Sequence, residues 1–214
     1  MSADEPKRLR RTASATCIRK LILVAFVLPG ALVGAVFALV TALLLITAQV
    51  NAMQTTVNGW SITTTCGKAS NGILVRAGCA QALPMVNLPQ EAVYWTATVD
   101  GAGQKLTGAH DYVLHFAPGG LPPNDGFWSL TMTIAPGYLV SNPINRYSLG
   151  DRSGLVPNAD GSVDIYIQEA APAGHEANWL PSPRGSFMLW MRVYQPANAI
   201  LSGAYHVPPV EETQ

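Results

Sequence analysis

Charged residues are scarce in this chain and unevenly placed. Asp, Glu, Lys and Arg make up 12% of its 214 residues, and none of them lies between Leu21 and Thr47. As a helix rising about 1.5 Å per residue, that run spans roughly 40 Å, beyond the ~30 Å hydrocarbon core of a bilayer. Tilt, or a kink at Pro29-Gly30, takes up the excess. We therefore read residues 21–47 as a transmembrane helix. The run is too long for the apolar region of about 7–15 residues in a cleavable signal peptide. A weak small-x-small site, Val50-Asn51-Ala52, follows it, and retention is the expected outcome.

Catalytic signatures are missing as well. No Ser stands in a GxSxG elbow, and there is no HExxH motif to hold zinc. No Gly-rich loop follows a strand and opens a helix to cradle a phosphate. The four histidines, His110, His115, His175 and His206, are scattered. Cysteine is limited to Cys17, Cys66 and Cys79, without a second Cys or His at zinc-like spacing. Neither a metal nor a cofactor is expected, and no catalytic residue is assigned. Cys66 and Cys79 follow the apolar run and are disulfide candidates in an oxidising compartment, where a bridge would close a short loop. Two buried free thiols are the alternative, since spacing alone does not bring two Cα atoms within bonding range.

The charge that is present sets an orientation. Lys7, Arg8, Arg10, Arg11, Arg19 and Lys20 precede the apolar run, and the next cation is Lys68. The positive-inside rule then leaves the N-terminus in the cytoplasm. It sends the C-terminal part across the plasma (inner) membrane, to the periplasm or the exterior. Residues 1–20 carry a net charge of +4 and residues 51–214 carry −4, so the overall neutrality hides two opposite halves. An acidic outer part argues against nucleic acid as a partner. The basic tail suits topology and anionic lipid, so the bilayer itself is the first partner expected. Five stretches result: a cytoplasmic tail (1–20), the helix (21–47), a polar stalk (48–57), an exported domain (58–209) and a short tail (210–214). Gly30, Gly34, Ala38 and Ala42 recur every fourth residue. This small-residue face would allow a homodimer through Gly30/Gly34; ordinary membrane-helix composition is the simpler explanation.

Beyond the helix, Asn71–Leu83 has the apolar spacing of a short helix ended by Pro84. The period then changes to two. Val93, Trp95, Ala97 and Val99 alternate with Tyr94, Thr96 and Thr98, and Asp100-Gly101 supplies a turn. Tyr112–Phe116, Phe127–Ile134, Ser162–Gln168 and Phe187–Tyr194 read as further strands, separated by Gly- and Pro-rich turns. Short alternating strands without a long amphipathic helix predict a mainly β domain, an antiparallel sandwich or barrel.

Several groups of residues along these strands are unusually specific. They include Glu91-Ala92-Val93-Tyr94, Gly126-Phe127-Trp128-Ser129-Leu130-Thr131, Asn142-Pro143, Arg146-Tyr147-Ser148, Gly150-Asp151, Asp160-Gly161-Ser162, Asn178-Trp179-Leu180-Pro181 and Arg192-Val193-Tyr194. In this order they resemble the bacterial domain-of-unknown-function 1214 family, over roughly Asn58 to Pro209. The resemblance implies a jelly-roll-like β-sandwich and no established activity or cofactor. Longer relatives carry a companion 1254 domain, which this chain lacks, and a separate 1254-type protein is therefore a candidate partner.

The densest polar cluster is Asn142, Asn145, Arg146, Tyr147, Ser148, Asp151 and Arg152, and Asn178-Trp179-Leu180-Pro181-Ser182-Pro183 reads as a rigid crossing with Trp179 as its aromatic anchor. An Arg guanidinium beside amide and phenol groups suits a carboxylate, phosphate or sugar, which makes Asn142, Asn145, Arg146, Tyr147, Asp151 and Trp179 the candidate ligand-binding residues. The structural alternative is a loop whose Asn side chains satisfy the backbone and whose Arg146 pairs with Asp151. The aromatics Tyr94, Trp128, Tyr147, Tyr166, Trp179, Trp190 and Tyr194 are candidate stacking platforms for glycans, or simply buried cover. The chain is expected to be a membrane-anchored binding or cell-envelope module. The alternatives are a hydrolase acting on a glycan or ester through loop carboxylates, or a subunit of a two-chain assembly.

Overall fold

A computed structural model describes residues 25, 27–83 and 86–213. The basic tail, Cys17, the first residues of the apolar run, Pro84 and Gln214 lie outside the described residues. Two compact units divide the chain, Met1–Gln49 and Val50–Gln214.

One helix, α1 (Leu28–Met53), accounts for the described part of the first unit and runs into the second. It has 26 residues, none of them charged and none buried, and is long and apolar enough to cross a membrane. It continues past Thr47 because Ala48–Met53 contains neither Gly nor Pro to stop it. The stretch read as a stalk is thus helix and then strand.

The second unit is mainly β. A hairpin of β1 (Thr55–Val57) and β2 (Trp60–Ile62) opens it. Its two-residue turn is Asn58-Gly59, both with positive φ (54° and 81°), the pairing that matches strand twist in a tight hairpin. After α2 (Ile73–Ala82) come β3 (Ala92–Ala97), β4 (Tyr112–Phe116), β5 (Asn124–Ile134), β6 (Tyr138–Leu139) and β7 (Ser148–Gly150). The chain continues through β8 (Val163–Gln168), β9 (Trp179–Pro181), β10 (Met188–Pro196), the single-turn α3 (Asn198–Leu201) and β11 (Val210–Glu212).

The strands form two sheets. Seven lie in the order β1-β2-β3-β10-β5-β6, with β7 also on β5; four lie in the order β11-β4-β8-β9. Pairing is antiparallel except between β8 and β9, which run parallel. Alternation along each strand selects the core. Leu189, Met191 and Val193 of β10 join Trp128, Leu130 and Met132 of β5, and Leu114, Phe116, Ile165 and Ile167 come from β4 and β8. These belong to one buried cluster, each side chain contributing about 1.5–3 kcal/mol by leaving water.

The strand ends differ slightly from their sequence expectation. β3 stops at Ala97, and Val99 makes only an isolated bridge to Lys105. β5 starts at Asn124, because β10 runs to Pro196 and pairs with it there.

Candidate functional site

The polar loop between β6 and β7 is built around Asn142. Its Oδ1 accepts the Arg146 N–H at 3.0 Å, and its Nδ2 donates to the Arg146 carbonyl at 2.8 Å. Asn145 adopts the left-handed conformation at φ 52°, which Asn tolerates better than most residues, and accepts the Tyr147 hydroxyl at 3.3 Å. Arg146 crosses to the 3-10 turn Glu176–Asn178 and the start of β9. Its Nη1 donates to the carbonyls of Glu176 at 2.6 Å and Trp179 at 2.8 Å.

Trp179 is 6% exposed, and its Nε1 donates to the Gln168 carbonyl at 2.9 Å. Asn142, Asn145, Arg146 and Tyr147 are thus brought together with the Trp179 backbone. Asp151 is turned elsewhere, accepting the Trp128 N–H at 3.3 Å. The pairing of Arg146 with Asp151 is not made. The β5–β7 register sets Gly150 opposite Ser129, which brings Asp151 to the β5 backbone, while Arg146 serves carbonyls on the β9 side. Hydrogen bonds of this charged kind contribute about 1.5–3 kcal/mol, so the cluster does structural work between distant segments.

A different arrangement occupies the outer face of the seven-stranded sheet. Tyr94, Arg192 and Ser129 form one cross-strand row, and Thr96, Trp190 and Thr131 form the next. Arg192 donates to Thr131 Oγ1 at 2.8 Å and lies 5.5 Å from the Trp190 ring centroid. Tyr194 stacks on Phe127 at 4.3 Å, and Arg152 sits 4.5 Å above that Phe127 ring. Tyr94, Trp190 and Tyr194 therefore share a face. Trp128 and Trp179 are core residues, and Tyr166 lies on the other sheet against His175 at 4.7 Å.

Beside Trp190 a cavity of about 290 Å³ is bounded by Gln54, Ser61, Thr63, Gln81, Tyr94 and Thr96. Its lining is uncharged and mixes these carboxamide and hydroxyl groups with the aliphatic side chains of Val50, Ile62, Ala82 and Leu83. Burial, followed by the neighbouring Tyr194 phenol, pushes the Tyr94 hydroxyl above its ordinary value. The Trp190 indole N–H is buried without a partner among the described residues. An uncharged hollow of mixed hydroxyl, carboxamide and aliphatic lining with an aromatic wall fits a neutral ligand better than an anion.

Cys66 and Cys79 are joined by a disulfide with Cα atoms 5.6 Å apart, tying a loop to the last turn of α2. One polar pair has no counterpart in the sequence reading. His115 Nδ1 donates to Asp164 at 2.6 Å across the β4–β8 register, and Asn158 donates to the other carboxylate oxygen at 2.8 Å. The two partners are 49 residues apart, and only strand register could have revealed them. Among the described residues no group of three or more His, Cys, Asp or Glu is placed to hold a metal ion.

Residues 91–198 match the family described as protein of unknown function (DUF1214). Among solved structures, the chain is similar to the VPA0106 protein from Vibrio parahaemolyticus, with 31% identity and a TM-score of 0.59. That match covers 68% of this chain and 36% of the Vibrio chain, so this chain corresponds to about a third of that relative's length. An uncharacterized protein from Burkholderia cenocepacia matches at 17% identity over 57% of this chain and 29% of its own, with a TM-score of 0.34, too low to bear on the fold. No curated protein matches the chain.

Proposed function

The chain belongs to the DUF1214 family of proteins of unknown function, and on that premise we propose that it is a membrane-anchored binding or envelope-associated module. Its C-terminal unit is a jelly-roll-like β-sandwich on the outer side of the plasma membrane. The observation that carries this reading is α1, an uncharged helix with no buried residue. So much exposed apolar surface supports a lipid environment for this helix. Two sheets that contribute to one core support the sandwich. The basic residues ahead of the helix support a cytoplasmic N-terminus.

The ligand site of this module is the cavity beside Trp190, and its ligand is a neutral polar molecule of the glycan type. The loop of Asn142, Asn145, Arg146, Tyr147 and Asp151, with Trp179, supports the fold rather than the ligand. A homodimer through the Gly30/Gly34 face is part of the same reading, since the space around both glycines is open within the chain. A second reading is a subunit that works with a separate domain, such as a 1254-type protein.

Paired fusions after Glu212 test the placement. An alkaline phosphatase fusion should be active and a green fluorescent protein fusion dark, with the protein resistant to alkaline carbonate extraction. The reverse pattern, or release by carbonate, overturns the anchored reading. Native mass spectrometry of the full chain in detergent tests the cavity: a retained small-molecule mass should disappear with Trp190→Ala and persist with Arg146→Lys.

A further inference from the structure

The loop and helix bridged by Cys66 and Cys79 differ in charge from the rest of the exported unit. Residues 48–90 contain Lys68 and Arg76 and no Asp or Glu, whereas residues 91–214 contain five Lys or Arg against eleven Asp or Glu. Both cations line one open groove of about 540 Å³. Among the described residues neither side chain makes a hydrogen bond or an ion pair. Among the described residues, no carboxylate lines the groove.

Apolar side chains flank it. Ile73 is 88% exposed, and Leu74 and Leu88 are exposed too. Ile73 and Arg76 stand one turn apart on α2, on the same face. Leu88 is held next to the groove because Gly67 packs on the Asn87-Leu88 backbone, where an added Cβ would lie 2.6 Å from the Asn87 carbonyl oxygen. Exposed aliphatic residues beside unpartnered cations are the features of a surface that enters the headgroup layer of an anionic membrane. The chain supplies the proximity. β1 begins at Thr55, two residues after the end of α1 at Met53, so almost no linker separates the apolar helix from this unit.

We propose that α2 and the loop before it are a docking surface for anionic phospholipid, with Lys68 and Arg76 on the headgroup phosphates and Ile73, Leu74 and Leu88 in the acyl boundary. The disulfide keeps the short α2 folded on the unit while its outer face meets the bilayer. The acidic remainder of the unit is repelled by the same surface, which orients it. This proposal rests on the membrane-anchored reading above.

The test places the full-length chain in lipid nanodiscs of phosphatidylcholine alone or mixed with phosphatidylglycerol. An environment-sensitive non-natural residue replaces Ile73, with Val156, 59% exposed, as the control position. The expected result is a blue shift at position 73 and quenching by spin-labelled lipid in the mixed discs only. Both should be lost on Lys68→Glu/Arg76→Glu or in high salt, with an unchanged circular dichroism spectrum. Emission at position 73 that matches position 156 in both discs overturns the proposal and leaves the anchoring intact. A shift that is equal in both lipids and survives charge reversal overturns the headgroup contact. Failure of the folded chain to enter discs at all overturns the anchored reading, and this proposal with it.

Discussion

The loop around Arg146 and the loop-and-helix segment bridged by Cys66 and Cys79 are secured in opposite ways. In the first, hydrogen bonds do the work: Asn142 closes the turn, and Arg146 binds carbonyls 30 and 33 residues away. In the second, a covalent bridge does it, and Lys68 and Arg76 are left facing an open groove. A dense polar cluster is therefore a poor marker of a binding surface. What distinguishes a surface able to bind is that its polar groups are not already answered by the protein.

Breaking the bridge should have the largest effect, confined to one side of this comparison. Cys66→Ser/Cys79→Ser should cost the segment about 3 kcal/mol, as expected for a closed loop of roughly this length. Hydrogen exchange should then show α2 amides losing protection while the β5 and β10 amides keep theirs. Loss of protection across all strands would mean that the bridge secures the whole unit.

Arg146→Ala comes next. It removes the charged donor from two carbonyls and should cost about 2–3 kcal/mol of global stability, read as a fall in Tm of the full chain in detergent. An unchanged Tm would put Arg146 on the same footing as Lys68 and Arg76.

Two indoles sharpen the contrast at a smaller scale. Trp179→Phe deletes the bond to the Gln168 carbonyl and should cost about 1 kcal/mol. Trp190→Phe deletes a buried N–H that has no partner among the described residues, and should be neutral or slightly stabilising. Equal losses in the two variants would show that the Trp190 N–H is engaged in solution.

The smallest effect is at Asp160. Hydrogen bonds from the Ser162 hydroxyl and backbone hold its carboxyl below the ordinary value of 3.8. Its stabilisation is complete above that value and fades as pH falls through the lower folded-state value. The gap in Tm between the native chain and Asp160→Ala should be constant from neutral pH to about pH 4 and close below it. A gap independent of pH would assign the effect to turn geometry alone.

Much of the fold was legible because it rests on local periodicity. Alternation located β3, β4, β5, β8 and β10, which carry most of the core. It missed β6, β7, β9 and β11, which have only two or three residues each. Alternation has nothing to repeat over that length. The parallel β8–β9 pair was equally hidden, since the direction of pairing is not written in either strand. At the candidate site, the residues of the 142–147 loop were found together because they are neighbours in sequence. Asp151 was grouped with them by sequence proximity, whereas the β5–β7 register turns its carboxylate to the Trp128 N–H.

The amino-acid sequence alone determined the apolar helix, the mainly β character of the C-terminal unit and the family, all of which depend on composition, period and residue order. Only the tertiary structure decided which polar groups are engaged and which remain open among the described residues: Arg146 on distant carbonyls, Trp179 bonded, Trp190 unpartnered, Lys68 and Arg76 beside a groove. The physical reason is that a hydrogen bond forms over about 3 Å of space. Strand register and chain crossings set that distance between residues far apart in sequence, and no local pattern records it.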